Sequence, residues 1–303
     1  MILFKQMLIL FFLMLIGFYL AKKEALDEKV SGFLSMLIVN IANPCLILSG
    51  CLSGYGISRK TFVETLALAA GIYIVWIILA EAAMPIFFKK KKEQSVYKVM
   101  FVFTNMGFMG FPIVSAMYGS EALLYASIFL LPFNLLLYTY GMYCMSGKIG
   151  DKKSVIKKCF NIGTLAGITA IAISLCQIKV PDVAASTIEM LGNLAAPLSM
   201  MVIGASLAKM NVREVFGDVK LLLFSVVKLL LFPIAGFFLI RLVTEDTVLQ
   251  GICLVILATP VGSMSAMLAR QYGGDYAAAS KGIAVTTLFS IVTMPLVFYV
   301  LGL

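Results

Sequence analysis

Apolar residues in this chain come in runs of about twenty, separated by short polar intervals, rather than in one-sided helical stripes or in strict alternation. Runs of that length match a bilayer-spanning helix, which needs about 20 predominantly apolar residues. Ten can be drawn: 2–21, 31–53, 62–88, 96–118, 121–145, 160–178, 183–208, 218–243, 247–270 and 276–301. A transmembrane barrel would instead show short segments of alternating polarity. The pattern therefore predicts an all-α integral membrane protein of ten helices. The first run is too long for a signal peptide, and Tyr19–Lys23 offers no small-residue cleavage site. The longest polar connection, 146–158, is too short for a soluble domain.

Punctuation of the runs suggests an internal repeat. Pro85 and Pro112 lie 27 residues apart in the first half, and Pro233 and Pro260 lie 27 apart in the second. Asn40 precedes Pro44 by four residues, as Asn193 precedes Pro197. Tyr118-Gly119-Ser120-Glu121 closes the fourth run, and Tyr272-Gly273-Gly274-Asp275 closes the ninth. The register is imperfect: Tyr118 follows Pro112 by six residues, Tyr272 follows Pro260 by twelve. Five spans per half is an odd number, so the second half enters the membrane inverted. The predicted organisation is a first repeat over 1–147, a basic linker over 148–159 and a second, inverted repeat over 160–303. Interrupted segments at matching places in two halves are the sequence pointer to a transporter's binding site.

Composition agrees. The chain is 61% hydrophobic and 13% charged, with mean hydropathy +1.02, against roughly 25% charged residues in soluble domains. A net charge of +9 does not mark a nucleic-acid binder, because the charge follows topology. Loops after odd-numbered spans, with their flanks, hold 16 basic residues: Lys22, Lys23, Lys29, Lys89–Lys92, Lys98, Lys148, Lys152, Lys153, Lys157, Lys158, Lys209, Arg213 and Lys220. The opposite side holds five: Lys5, Arg59, Lys60, Lys179 and Arg241. Short cytoplasmic loops are enriched in Lys and Arg. This places the odd loops in the cytoplasm and both termini outside. The six cysteines show no metal or redox spacing.

Three constellations could carry chemistry. Asn105, Gly107, Gly110 and Pro112 in the fourth run face a counterpart of Thr259, Pro260, Gly262, Ser263 and Ser265 in the ninth. Proline frees a carbonyl one turn earlier, glycine admits another backbone, and Asn105 brings a donor and an acceptor into hydrocarbon. Two crossing breaks would aim positive half-helix N-termini into one cavity, which suits a carboxylate. The rival reading is a pair of packing kinks. Glu81 and Lys228 are charges at similar depth, open to a salt bridge, a substrate contact or a proton relay, or to a purely structural pairing. Asn40, Asn193, Asn134 and Ser290 are secondary polar candidates, for which interhelical hydrogen bonding competes with ligand binding. Thr286 and Thr293 share a helical face with Ser290, where packing is the favoured role.

Enzyme motifs are missing. The chain has no histidine, which removes His-dependent triads and imidazole metal sites. There is no nucleophile elbow and no phosphate-binding Walker loop. No cofactor, metal or nucleic acid is expected, and no catalytic activity.

At these residues the chain resembles the auxin efflux carrier family, in particular its bacterial branch, which includes malate and malonate permeases. Asn105–Pro112 resembles the family's Asn-x-Gly-x-x-Gly-x-Pro segment. Leu194–Pro197 with Ile203–Leu207, Ala258–Pro260 with Tyr272–Asp275, and Ser290–Leu296 resemble its later motifs, in order. The resemblance implies two inverted five-helix repeats, broken helices 4 and 9 that cross, a frequently dimeric scaffold of helices 1, 2, 6 and 7, and a transport domain of helices 3–5 and 8–10 that slides as an elevator. Neither the long cytoplasmic loop of the plant carriers nor auxin as substrate carries over. The expectation is a multi-pass, homodimeric secondary transporter in the cytoplasmic membrane. It would move a small organic anion, with H+ or Na+ as a possible coupling ion. The alternatives are a cation-coupled symporter of the bile-acid-carrier type, and a channel or non-transporting sensor.

Overall fold

The computed structural model describes residues 2–52, 57–148, 151–208 and 217–303. Lys209 and Arg213 of the basic loops, and positions 149–150 of the linker, lie outside the described residues. Among the described residues the chain is helical, with no strand and one isolated antiparallel bridge, Thr104 to Val261. Seven helices are long and apolar enough to cross a membrane, or eight if the bent pair Lys153–Cys159 and Ile162–Leu175 counts as one span. Met106–Tyr118 and Thr247–Ala258 are shorter apolar helices. They fall in the fourth and ninth apolar runs, which the structure interrupts instead of carrying straight through.

Proline placement explains most of the local irregularity. Five-residue π-helical segments at Ile38–Ala42, Met106–Gly110 and Val227–Leu231 each end two residues before a proline: Pro44, Pro112 and Pro233. Proline has no N–H, and its ring collides with the carbonyl four residues back. Widening the preceding turn relieves the collision while backbone bonds continue in i to i−5 register. The N–H of Asn43 accordingly donates to Ile38 O, and that of Phe232 to Val227 O. A further π segment, Leu137–Gly141, precedes no proline. Pro85 lies within the continuous helix Arg59–Phe87.

The chain divides into two compact units. One comprises Met1–Val63, Met106–Ile128 and Ile162–Val212. Its most extensive pairing sets Ile2–Lys22 along Ala195–Ala208. Gly17 lies against the Met201 backbone and Gly204 against the Met14 carbonyl, so closely that neither position has room for a Cβ. Small residues that let backbones approach are the usual adhesive between membrane helices. Asn43–Ser49 packs against Ile162–Leu175 and Asp182–Gly192.

The other unit comprises Glu64–Asn105, Phe129–Asn161 and Arg213–Leu303. An aromatic core joins its helices. Trp76 lies 4.0 Å from Phe232 between ring centroids, and Phe101 meets Phe232 edge-on at 4.7 Å. Gly236 admits Trp76 and Leu257, which leave no room for a Cβ there. This unit holds the interruption in the fourth run and all of that in the ninth.

Candidate functional site

Helix Lys91–Val102 ends at Phe103, whose backbone turns extended, and the chain resumes helix at Met106. Helix Thr247–Ala258 ends at Thr259, also extended, and resumes at Met264. The two interruptions lie side by side. The N–H of Asn105 donates to Pro260 O at 2.7 Å, and that of Gly262 donates to Phe103 O at 3.0 Å. Backbone groups freed at the breaks therefore satisfy one another, as groups in a membrane interior must. Gly262 makes this possible: a Cβ there would stand 2.6 Å from Thr104 O. The N–H of Val261 donates to the Thr286 hydroxyl at 3.1 Å, and that hydroxyl donates to Gly282 O at 2.7 Å. Thr286 thus ties the second break to helix Tyr276–Val300, a specific hydrogen-bonding role where packing was the favoured expectation.

Three buried polar atoms at this crossing have no hydrogen-bond partner: Asn105 Nδ2, Thr104 Oγ1 and Ser265 Oγ. Asn105 is 4% exposed and Ser265 fully buried. Buried polar groups are nearly always paired, so these three atoms are exceptions. Behind the bridge, Tyr73 OH and Trp76 Nε1 are also unpaired, and they line one small cavity with Thr104 and Cys253.

The other predicted residues are placed as follows. Thr259 turns its hydroxyl back to Ile256 O at 2.7 Å, so its donor is engaged. Ser263 is exposed at the start of Met264–Tyr272. Gly107, Gly110 and Pro112 belong to the first unit, in and just after the π segment; Gly107 faces Asn43 Nδ2. The unpaired Asn43 Oδ1 and Ser199 Oγ are buried in that same unit. Asn40 and Asn193 are exposed, Asn40 within a π segment and Asn193 as a helix C-cap. Asn134 is buried, and its carbonyl accepts from Cys159 Sγ at 3.6 Å. Ser290 bonds its own helix at Thr287 O. Asp275 of the Tyr272–Asp275 motif is an N-cap, accepting from Ala278 N at 3.0 Å.

The two membrane charges are not paired with each other. Glu81 accepts from Lys98 Nζ at 2.5 Å and from Tyr140 OH at 2.7 Å. Lys98, grouped by sequence with the basic loops, is a partner for that carboxylate from a different helix, Lys91–Val102. Lys228 is fully buried and donates to Phe101 O at 2.9 Å, with its ammonium 3.7 Å from the Phe232 ring centroid. Phe101 lies in the last turn of Lys91–Val102, where carbonyls lack helical partners and the dipole is negative. Lys228 therefore caps the half-helix that ends at the first break. Its π segment gave no direct sequence signal beyond Pro233.

A multi-pass membrane protein, helical throughout its described residues, with two helix interruptions side by side in one compact unit is the class these observations define. The chain belongs to the membrane transport protein family, that of the auxin efflux carriers, whose profile matches residues 2–298. It is similar to an uncharacterised transporter of Methanocaldococcus jannaschii, 26% identical over 300 residues that cover 95% of this chain and 96% of the relative. A second uncharacterised transporter, from Methanothermobacter thermautotrophicus, is 22% identical over 291 residues, covering 94% and 93%. The family and both relatives are transporters, not enzymes.

Proposed function

We propose that the chain is a secondary active transporter of a small organic anion, bound where the two interruptions cross. The observation that carries this reading is the unpaired, buried Asn105 amide beside the Asn105 to Pro260 bridge. With the Ser265 hydroxyl and the positive N-terminus of Met264–Tyr272, it supplies donors and partial positive charge, the complement of a carboxylate.

In this proposal ten helices form two inverted five-helix repeats, over 1–147 and 160–303, with basic loops in the cytoplasm and both termini outside the cell membrane. Helices 1, 2, 6 and 7 are the scaffold and the dimer interface; helices 3–5 and 8–10 move as an elevator. The division into compact units supports this, since the second unit draws on the same helices as the moving domain except for residues 106–128. Glu81, held by Lys98 and Tyr140, is the coupling group, because its carboxylate sits on a membrane helix and remains partly exposed. Alternating access then needs two states of similar energy, biased by the anion and by the charge at Glu81.

The test is a melting-point screen of the purified protein against mono- and dicarboxylates, since a ligand of the folded state raises its stability. A carboxylate that stabilises wild type but not Asn105→Ala supports the assignment. Stabilisation by organic cations alone refutes it.

A further inference from the structure

Far from the crossing, an apolar groove runs between the ends of two spans of the second unit. Met84, Phe87 and Phe88 come from Arg59–Phe87 and its end; Leu223, Phe224 and Val227 come from the opposite helix, with Lys220 at the rim. The groove encloses about 380 Å³, part of it open to the surroundings. Its floor is a fixed aromatic stack: Phe88 lies on Tyr97 at 3.9 Å, and Tyr97 meets Phe224 edge-on at 4.9 Å. Phe87 and Leu223 are half-exposed at its mouth, on helices long and apolar enough to cross a membrane.

Charge at the rim selects among lipids. Lys220 lies in the first turn of Val219–Val226, its ammonium 5.8 Å from the Phe88 ring centroid. Lys89 and Lys90 precede helix Lys91–Val102, and Lys91 and Lys92 occupy its first turn. A helix N-terminus is already positive, so lysines gathered there repel it and one another unless an anion lies between. Local carboxylates do not meet that need. Glu93 reaches only Lys90, at 3.9 Å, and the Asp218 side chain caps Leu221 N. Among the described residues Lys89, Lys91, Lys92 and Lys220 have no acidic partner within 4.0 Å.

We propose that this groove is a binding site for one anionic phospholipid, an acyl chain lying on Phe88, Leu223 and Phe224 and the phosphate held by Lys220 and the Lys89–Lys92 run. Basic pockets between membrane helices hold lipid headgroups in this way. The site anchors the end of Arg59–Phe87, which carries Glu81, to the end of Val219–Arg241, which carries Lys228. Its occupancy does not depend on which solute is carried.

Native mass spectrometry of the full, delipidated chain with phosphatidylglycerol, phosphatidylcholine or glycerol phosphate tests this. Wild type should retain one phosphatidylglycerol in preference to phosphatidylcholine and bind no glycerol phosphate. Lys220→Gln should reduce the preference about fivefold, the weight of one lysine at an anionic surface. Leu223→Trp, which fills the groove, should reduce retention of the acyl chain with the charges intact. Melting without lipid checks that both variants are folded. Equal retention of the two phospholipids, phosphatidylglycerol retention unchanged in both variants, or tight binding of glycerol phosphate would each overturn the proposal.

Discussion

The backbone N–H of Asn105 donates to the carbonyl of Pro260 at 2.7 Å, while the Asn105 side-chain amide, buried beside it, donates to nothing. The backbone N–H of this residue is bonded across the break and its side-chain amide is not. Asn105→Ala keeps the bridge and removes an unpaired buried donor whose desolvation costs about 1–3 kcal/mol. The melting point of Asn105→Ala is therefore expected to stay level or rise, while carboxylate transport falls at least tenfold. A variant that melts well below wild type would show that the amide holds the fold.

Gly262 is the converse case. A methyl group at this position meets Thr104 O at 2.6 Å, and both atoms are fixed by the bridge. Gly262→Ala must separate the two interruptions, at about 1–3 kcal/mol for overpacking. Thermal unfolding in detergent reads this as a clear loss, larger than for Gly71→Ala, where nothing lies within 4 Å of the added carbon.

Glu81→Gln keeps an acceptor for the Tyr140 hydroxyl but removes the ion pair with Lys98. The carboxylate is about half exposed, so the pair contributes under about 1 kcal/mol, and stability should barely change. Transport should change more. Acid neutralises the wild-type carboxylate and releases Lys98, so wild-type flux should vary with pH if Glu81 is the coupling group. The variant has nothing there to protonate, and its flux–pH profile should be flatter. An unchanged profile would remove Glu81 from coupling.

Lys228→Met tests whether the buried ammonium is needed for folding. The substitution leaves Phe101 O without its donor, a cost of about 1–3 kcal/mol. It also removes a polar amine that is expensive to bury, which offsets that cost. Methionine fills most of the space, so the melting point should fall by only a few degrees. Lys228→Ala adds a cavity and should fall much further, by about 2–5 kcal/mol. Equal losses for the two variants would mean that the ammonium itself holds the break.

Much of this was written in the sequence, but displaced. Asn105, Pro260 and Gly262 announced the interruptions, because each residue type is costly in an uninterrupted apolar helix. The matched spacing of Pro112 and Pro260 was misleading about where the first one lies. Measured from the Thr104 to Val261 bridge, Pro112 comes eight residues after its partner and Pro260 one before. Pro112 is absorbed by a π segment, and the break falls earlier at Phe103–Asn105, where no proline stands. Counted from the bridge, Tyr118 lies 14 residues on and Tyr272 lies 11, so the six-residue register difference shrinks to three and changes sign. Partner choice was not legible: Lys98 and Tyr140 for Glu81, and Phe101 for Lys228, depend on packing among helices distant in sequence. Thr286 read as a packing residue because its only exceptional property is the donor it meets, Val261 N, in the second interruption.

In the proposed mechanism Asn105 and the crossing bind an organic anion that the protein carries in exchange cycles. Counterflow in proteoliposomes addresses it directly. Vesicles loaded with unlabelled carboxylate should accumulate the labelled anion transiently and saturably, and Asn105→Ala vesicles, with the protein folded, should not. Flux that never saturates and shows no counterflow, or full counterflow by Asn105→Ala, would contradict it.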